Sequence, residues 1–205
     1  MTPIIETSDK PPRERILLTA HDLFYSNGIR ATGIDKVIAE AGVSKVTFYR
    51  NFPSKNALIL AFLDYRHQRW ISWFRDALQR QSGCEGQGLM CLVPVLEEWF
   101  DKPLFRGCAF INTAAEFADS FPEALEVCRR HKQDMVGIIA ELLPVGEFRF
   151  SLANAAAVAV DGAIVRAQLE TQSPDIKTAL AGLALILSTF DRVSETAYSS
   201  QPTHQ

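Results

Sequence analysis

A short stretch of this sequence carries side chains that suit the binding of a polyanion. Lys45, Val46, Thr47 and Tyr49 follow one another closely after a glycine, and Lys55 comes soon after them. An ammonium can reach a guanine acceptor or a phosphate, the methyls of Val46 and Thr47 can contact a thymine methyl, and a phenol can bond to a phosphate oxygen. We therefore expect this stretch to enter the major groove of double-stranded DNA, with Lys55 holding a phosphate at a helix start.

The elements around this stretch have the layout of a helix-turn-helix. Residues 34–52 read as a helix with small residues, a turn at Gly42 and a second helix capped by Ser44. Phe48 and Phe52 are four positions apart, so they share one face and are expected to form the core side. The other edge of the second helix is then free to face DNA.

Helices on either side of the helix-turn-helix are also predicted. The first should begin after Pro12 and end at Gly28, a natural residue for the position after a helix. Thr32 and Asp35 have the spacing of a capping box, in which the threonine hydroxyl accepts a free amide of the next helix. A long helix over about residues 54–80 is apolar on more than one face, so it must contact two bodies.

The whole chain reads as all-α, because apolar residues recur at helical spacing and no strand-like alternation of any length is found. Residues 1–56 are predicted to form a three-helix, helix-turn-helix DNA-binding domain. The long helix joins it to a larger helical ligand-binding and dimerisation domain over residues 57–198, and residues 199–205 are expected to be a disordered tail. Further helices are expected at about 89–101, 105–119, 122–143, 152–172 and 174–197.

Several motifs between residues 13 and 62 occur together. They are F-x-x-x-G at 24–28, Thr32, AEAGVS at 39–44, T-F-Y at 47–49, Phe52 and S-K-x-A-L at 54–58. In this combination the sequence resembles the TetR family of bacterial transcriptional regulators. The resemblance implies a homodimeric repressor that a small-molecule effector releases from a palindromic operator. It also implies that Lys45, Val46 and Thr47 read bases, whereas the phosphates are gripped by Thr32, Tyr49 and Lys55.

Charge is distributed unevenly along the chain. The net charge is −3 over 205 residues, yet residues 30–55 carry five basic and two acidic side chains, whereas residues 57–205 carry 13 basic and 18 acidic ones. This asymmetry is typical of a small nucleic-acid-binding domain attached to an acidic body. The apolar runs are shorter than the roughly 20 residues of a membrane span. The N-terminus also lacks the apolar core of a signal peptide. We expect a cytoplasmic protein with no membrane partner.

The sequence offers little that points to catalysis or to a bound metal or cofactor. It contains no G-x-S-x-G, H-E-x-x-H, Walker A or G-x-G-x-x-G motif. The four histidines are far apart, and the cysteines form no C-x-x-C pair. We therefore expect a protein that is not an enzyme and that needs neither metal nor cofactor.

Aromatic residues concentrate in the middle of the chain. Of the 20 aromatic side chains, 11 lie between Phe62 and Phe121, and these include all three tryptophans. Such a cluster can be an ordinary core. It can also line a ligand pocket in which a few polar groups orient the ligand, and this interpretation predicts a mainly apolar or aromatic effector. The predicted ligand-binding residues are Trp70, Trp73, Trp99, Phe110, Asn112, Phe117 and His131.

The last two predicted helices carry regular stripes, of alanine in the first and of larger apolar residues in the second. Within one chain the two stripes could pack against each other. The family resemblance favours a different arrangement, in which this pair of helices from each subunit forms a four-helix dimer interface. The predicted interface residues are Ala156, Ala163, Ile176, Leu180, Leu183 and Leu187.

Four cysteines leave a second kind of trigger open. Cys84, Cys91, Cys108 and Cys128 are expected to be free thiols in a reducing compartment. They can be simple buried residues. In the alternative, the protein is a redox- or electrophile-sensing regulator whose cysteine thiols control the release of DNA.

Overall fold

The computed structural model describes residues 9–81, 88–117, 120–170 and 173–199, with the side chains of 173–175 and 192–199 excepted. Every regular element in these ranges is a helix, which confirms the all-α prediction. Residues 200–205 of the predicted tail, and Cys84, lie outside the described residues. The helices are α1 Pro12–Asn27, α2 Ile34–Glu40, α3 Lys45–Asn51, α4 Lys55–Arg80, α5 Leu92–Phe100, α6 Ala109–Phe117, α7 Pro122–Glu141, α8 Arg149–Leu169 and α9 Ser173–Ser199, with a 3₁₀ turn at Gly88–Cys91.

The chain divides into two compact units. The first contains Met1–Gln68 and Ala109–Arg129, and the second contains Arg69–Cys108 and Arg130–Gln205. The first unit therefore holds α1 to α3, the first part of α4, α6 and the start of α7. We expected a division into two domains at residue 56. The two compact units divide within α4, between residues 68 and 69, and α6 belongs to the same unit as the helix-turn-helix.

The first unit is organised around a core of aromatic and aliphatic side chains. Phe24, Phe48 and Phe62 are buried, and Phe24 meets Phe62 edge to face at 5.4 Å between ring centroids. Gly28 ends α1 with a φ of 87°, and its amide donates to the Phe24 carbonyl, as expected for a glycine in this position. These contacts fix the direction in which the chain leaves α1.

The capping box predicted at Thr32 is wrong. The residue before α2 is Gly33, and no side chain caps this helix. The Thr32 side chain is buried instead, and its hydroxyl donates to the Gly28 carbonyl at 2.8 Å. The spacing to Asp35 suits a cap, but a carbonyl of the preceding loop takes the hydroxyl proton, because Ser and Thr hydroxyls readily bond to nearby backbone.

In the second unit, α8 packs against α9. Ala156, Ala163 and Ala167 on α8 are buried, as are Leu183 and Leu187 on α9. Small side chains on one helix allow the other to approach closely. Among the described residues, α8 is also the one helix long and apolar enough to cross a membrane, with a mean hydropathy of 1.3. This is weak evidence, because the core helix of a soluble protein passes the same test.

Candidate functional site

The second helix of the helix-turn-helix, α3, is held by its own first turn. The Ser44 hydroxyl accepts from the Thr47 amide at 3.1 Å, which confirms the predicted cap. Phe48 is fully buried and Phe52 is 2% exposed, as their spacing predicted. Val46 is 69% exposed and Tyr49 is 42% exposed. One face of α3 is thus anchored in the core while the adjoining edge lies open to solvent.

The charged side chains around α3 are held only loosely. The Lys45 ammonium lies 3.5 Å from the Asp35 carboxylate, and both side chains are well exposed. Exposed ion pairs of this kind contribute about 0 to 1 kcal/mol, so either partner is easily exchanged. Lys45 can therefore exchange its ion pair with Asp35 for a contact with a polyanion.

The start of α4 gives Lys55 a defined place. The Ser54 hydroxyl accepts from the Ala57 amide at 3.0 Å, which closes the first turn around Lys55. Partial burial lowers the pKa of the Lys55 ammonium from its ordinary value, and the nearby Glu116 carboxylate opposes this shift. Lys55 is thus a half-buried cation beside a helix start, an arrangement that favours an anion.

Thr32 was predicted to grip a phosphate together with Tyr49 and Lys55. The structure places its side chain inside the first unit, with the hydroxyl proton committed to the Gly28 carbonyl. Tyr49 and Lys55, by contrast, have side chains that solvent reaches. We therefore interpret Thr32 as a residue that shapes the loop between α1 and α2.

Four of the predicted ligand-binding residues meet in the second unit. The Trp70 ring lies 5.6 Å from that of Trp99 and 5.0 Å from the imidazole of His131, between ring centroids. Trp73 lies 6.1 Å from Trp70 and 6.0 Å from Trp99. We call Trp70, Trp73, Trp99 and His131 the aromatic cluster. It is the kind of surface that lines an apolar site, and it is equally the kind that fills a core.

The two indole N–H groups at the α4 side of the aromatic cluster differ in their partners. The Trp73 indole donates to Glu98 at 2.9 Å, and Arg80 donates to both oxygens of the same carboxylate. The bond from Arg80 and then the one from Trp73 lower the pKa of Glu98. Within the described part of the chain, the Trp70 indole N–H is buried and finds no acceptor. A buried donor of this kind favours a ligand that carries a hydrogen-bond acceptor.

The remaining predicted ligand-binding residues belong to the first unit. Phe110 is buried, and Asn112 is half-buried. Phe117 packs on Phe121 with 5.8 Å between centroids, and its face lies 5.4 Å from the guanidinium carbon of Arg30. The structure thus places these three residues in a different unit from the aromatic cluster.

The predicted dimer residues are mostly covered within the chain. Ala156, Ala163, Leu180, Leu183 and Leu187 are all buried. Ile176 is half-buried. Among the described side chains, the large apolar residues of α8 and α9 that remain exposed are others, namely Phe150, Val158, Val165, Leu169, Leu185 and Ile186. The intrachain packing left open by the sequence accounts for the regular stripes.

Two polar groupings were not suggested by the sequence. In the second unit, the Lys132 ammonium bonds to Asp161 at 2.6 Å and also to the Cys108 sulfur. Burial alone would lower the pKa of Lys132, but Cys108 and Asp161 offset it and raise that pKa above its ordinary value. In the first unit, Glu116 bonds to backbone amides of the loop after α1. Both groupings join residues far apart in the chain, so no local pattern could indicate them.

No metal site is indicated in the part of the chain that the structure describes. Groups of three or more His, Cys, Asp or Glu side chains that could hold an ion are not found there. Cys91, Cys108 and Cys128 are buried and form no disulfide.

Comparison with known proteins decides the family. The family model of bacterial regulatory proteins, tetR family, matches residues 16–62, the region of the predicted helix-turn-helix. A TetR-family transcriptional regulator from Streptomyces coelicolor is 31% identical, with a TM-score of 0.74, over 87% of this chain and 95% of that one. The chain belongs to the TetR family. It is a TetR-family transcriptional regulator with a DNA-binding helix-turn-helix.

Other similar proteins match a smaller part of the chain or match it at lower sequence identity. The transcriptional activator FasR of Mycolicibacterium smegmatis is 37% identical over 33% of this chain and 31% of its own length. For the regulator UidR of Escherichia coli, identity is 31% over 37% of this chain and 38% of UidR. The reduced form of NemR from E. coli has a TM-score of 0.71 at 21% identity, over 86% of this chain and 97% of that one. At this identity, the likeness to NemR supports the fold alone. The matches to FasR and UidR span about a third of the length of those proteins.

Proposed function

We propose that this protein is a cytoplasmic, homodimeric repressor that binds a palindromic operator and is released by a small, mainly apolar or aromatic molecule. The observation that carries the DNA-binding part is the division of α3 into a buried face at Phe48 and an exposed edge at Lys45, Val46 and Tyr49. A helix anchored on one side and open on the other can enter the major groove without unfolding. Dimers of such units bind two half-sites related by the protein's own two-fold symmetry.

The roles of the exposed residues can be separated by their dependence on salt and sequence. Lys55→Ala is expected to weaken binding to all DNA sequences alike and to reduce the salt slope by about one unit per half-site, because one phosphate contact is lost. Tyr49→Phe should weaken all sequences without changing that slope, since it removes a neutral donor. Lys45→Ala and Thr47→Ala should instead change the preferred bases. Titration of operator and scrambled DNA at several salt concentrations measures all three effects.

A matched control for this set is Lys36→Ala. Lys36 lies on α2, is exposed and pairs only loosely with Glu40, at 3.9 Å. It carries the same charge as Lys45 but was not assigned to a base or phosphate. Equal losses in Lys36→Ala, Lys45→Ala and Lys55→Ala would mean that only the general positive charge matters, and the assignment of α3 to the groove would be wrong.

The dimer is best supported by the outer faces of α8 and α9. Each face combines exposed apolar residues with a glycine, Val158 and Val165 around Gly162, and Leu185 beside Gly182. A Cβ built at either glycine would meet no atom within 4 Å. An open stripe of apolar and glycine residues lets a second helix pair approach closely. We propose that these faces meet their copies in a second subunit.

The effector site is proposed at the aromatic cluster, supported by the buried Trp70 N–H. A ligand bound there should quench tryptophan emission and weaken operator binding by the same factor by which the operator weakens ligand binding. Trp73→Ala and Trp99→Ala, both within the aromatic cluster, are expected to keep operator affinity and to lose the response. A panel of apolar aromatic compounds, scored by fluorescence and by gel shift, tests this. Compounds that release DNA equally well from both variants would show that the cluster is core.

A second candidate function is thiol sensing at Cys108, and the grouping with Lys132 is the observation that favours it. Reactive cysteines are commonly found beside cationic side chains, and Lys132 is such a neighbour for Cys108. In this case oxidants or alkylating electrophiles would release DNA from the wild type and from Cys128→Ser, but not from Cys108→Ser. Cys128 is the matched control because it is also a buried cysteine outside any disulfide.

A further inference from the structure

The loop between α1 and α2 is held from within the helix-turn-helix by its own side chains. After Gly28, the Ile29 side chain is buried, and its carbonyl accepts from the Thr32 amide at 3.3 Å. The Thr32 hydroxyl closes the turn from the inside, on the Gly28 carbonyl. The next residue, Gly33, immediately precedes α2 and occupies its N-cap position. The position of this loop therefore determines where α2 starts.

The same loop is held from outside by a carboxylate of α6. The Glu116 oxygens accept from two successive amides, those of Ile29 at 3.1 Å and of Arg30 at 2.7 Å. Two consecutive N–H groups that point at one carboxylate form a small anion-binding concavity, and bonds to a charged acceptor are about twice as strong as neutral ones. A Cβ at Gly28 would lie 3.3 Å from Glu116 Oε1, so the carboxylate sits close against the glycine.

The side chain of Arg30 in this loop is held by Phe117 at the end of α6 and by Ser120 beyond it. The Arg30 guanidinium lies over the Phe117 ring, and Arg30 Nη2 donates to the Ser120 hydroxyl at 3.2 Å. Arg30 is one of the basic residues that give residues 30–55 their positive charge. Its guanidinium is thus directed to α6, while its amide is bound by Glu116.

We propose that Glu116 is a positioning residue for DNA binding, which acts through the α1–α2 loop and touches no DNA itself. By binding the Ile29 and Arg30 amides it fixes the loop that starts α2, and α2 in turn packs against α3. The proposal rests on the DNA-binding function proposed above. It adds a residue outside the helix-turn-helix on which the affinity of that helix-turn-helix depends.

The direction in which Glu116→Gln changes DNA affinity distinguishes positioning of the loop from simple electrostatic repulsion. The Glu116 carboxylate lies near the Lys55 ammonium and opposes the lowering of its pKa by burial. By Coulomb's law alone, removing this negative charge beside a proposed phosphate contact would strengthen DNA binding. Glu116→Gln removes the charge and turns an amide NH₂ towards one of two N–H donors, so the loop loses at least one bond. Positioning by Glu116 therefore requires that Glu116→Gln weakens DNA binding.

The test compares the full-length wild type with Glu116→Gln, Glu116→Asp and the control Glu123→Gln, which removes an exposed carboxylate from the start of α7 in the same unit. We expect Glu116→Gln to lose about tenfold or more in operator affinity with an unchanged salt slope, because no phosphate contact is lost. Hydrogen exchange at the Ile29 and Arg30 amides should accelerate by a similar factor. The Asp variant, which keeps the charge but is one methylene shorter, should fall between, and Glu123→Gln should match the wild type.

Equal or higher operator affinity in Glu116→Gln would overturn the proposal, and so would unchanged exchange at both amides. If Glu116→Gln does not fold, the Asp variant gives the same two measurements. If the wild type itself retains no DNA, the proposed function fails, whereas the exchange rates still decide whether Glu116 holds the loop.

Discussion

Leu185→Glu is expected to give a folded monomer, whereas Leu183→Glu, only two positions away, is expected to unfold the chain. Leu185 is 71% exposed on the outer face of α9, and Leu183 is 2% exposed on the face covered within the chain. A carboxylate at position 183 would be buried without a partner at a cost of several kcal/mol, which is a large part of the stability of a typical domain. At position 185 it stays in water until a second subunit arrives.

Light scattering gives the mass of each variant, and circular dichroism shows whether it is folded. Ala181→Glu is a useful third variant, because Ala181 is also exposed on α9 but carries little apolar surface. A Leu185→Glu protein that remains dimeric would place the interface elsewhere. A Leu183→Glu protein that is folded and monomeric would restore the interface predicted from the regular stripe.

Phe48→Ala is expected to abolish DNA binding by unfolding the helix-turn-helix, while Tyr49→Ala leaves it folded and only weakens the complex. Phe48 is fully buried in the first unit, and its ring contacts those of Tyr49 and Phe52. Truncating a buried phenylalanine costs about 3 to 5 kcal/mol, which a small helical core has little capacity to absorb. Tyr49 is partly exposed, so its truncation removes less buried surface.

The two Phe48 and Tyr49 variants can be distinguished without DNA. Thermal unfolding followed by circular dichroism should show an early loss of helix in Phe48→Ala and a transition near that of the wild type in Tyr49→Ala. A Phe48→Ala protein that melts like the wild type yet fails to bind DNA would place Phe48 on the DNA side of α3. The orientation derived from its burial would then be wrong.

The helix-turn-helix could be predicted from the sequence because its signals are local. The Ser44 cap, the four-residue spacing of Phe48 and Phe52, and the glycine after α1 each act within one or two turns. Thr32 shows the limit of this approach. Its spacing to Asp35 suits a cap, but a carbonyl four residues earlier competes for the hydroxyl.

The last two helices show what periodicity leaves open. A regular stripe such as that of Leu180, Leu183 and Leu187 shows that one face of α9 is covered, but it does not say whether the cover comes from the same chain or from another. The structure covers it with the chain itself. The face left open contains glycines and isolated apolar residues, a pattern too weak to stand out in a single sequence.

The bonds from Glu116 to the loop have a consequence for how the protein is made. They join residues that are 87 and 86 positions apart in the chain. The helix-turn-helix leaves the ribosome early, but the carboxylate that completes its first loop is synthesised much later. Closing so long a segment carries an entropy cost that grows with the logarithm of its length, and contacts of large sequence separation form late in folding. The loop between α1 and α2 can therefore make these two bonds only after the chain has been synthesised as far as Glu116.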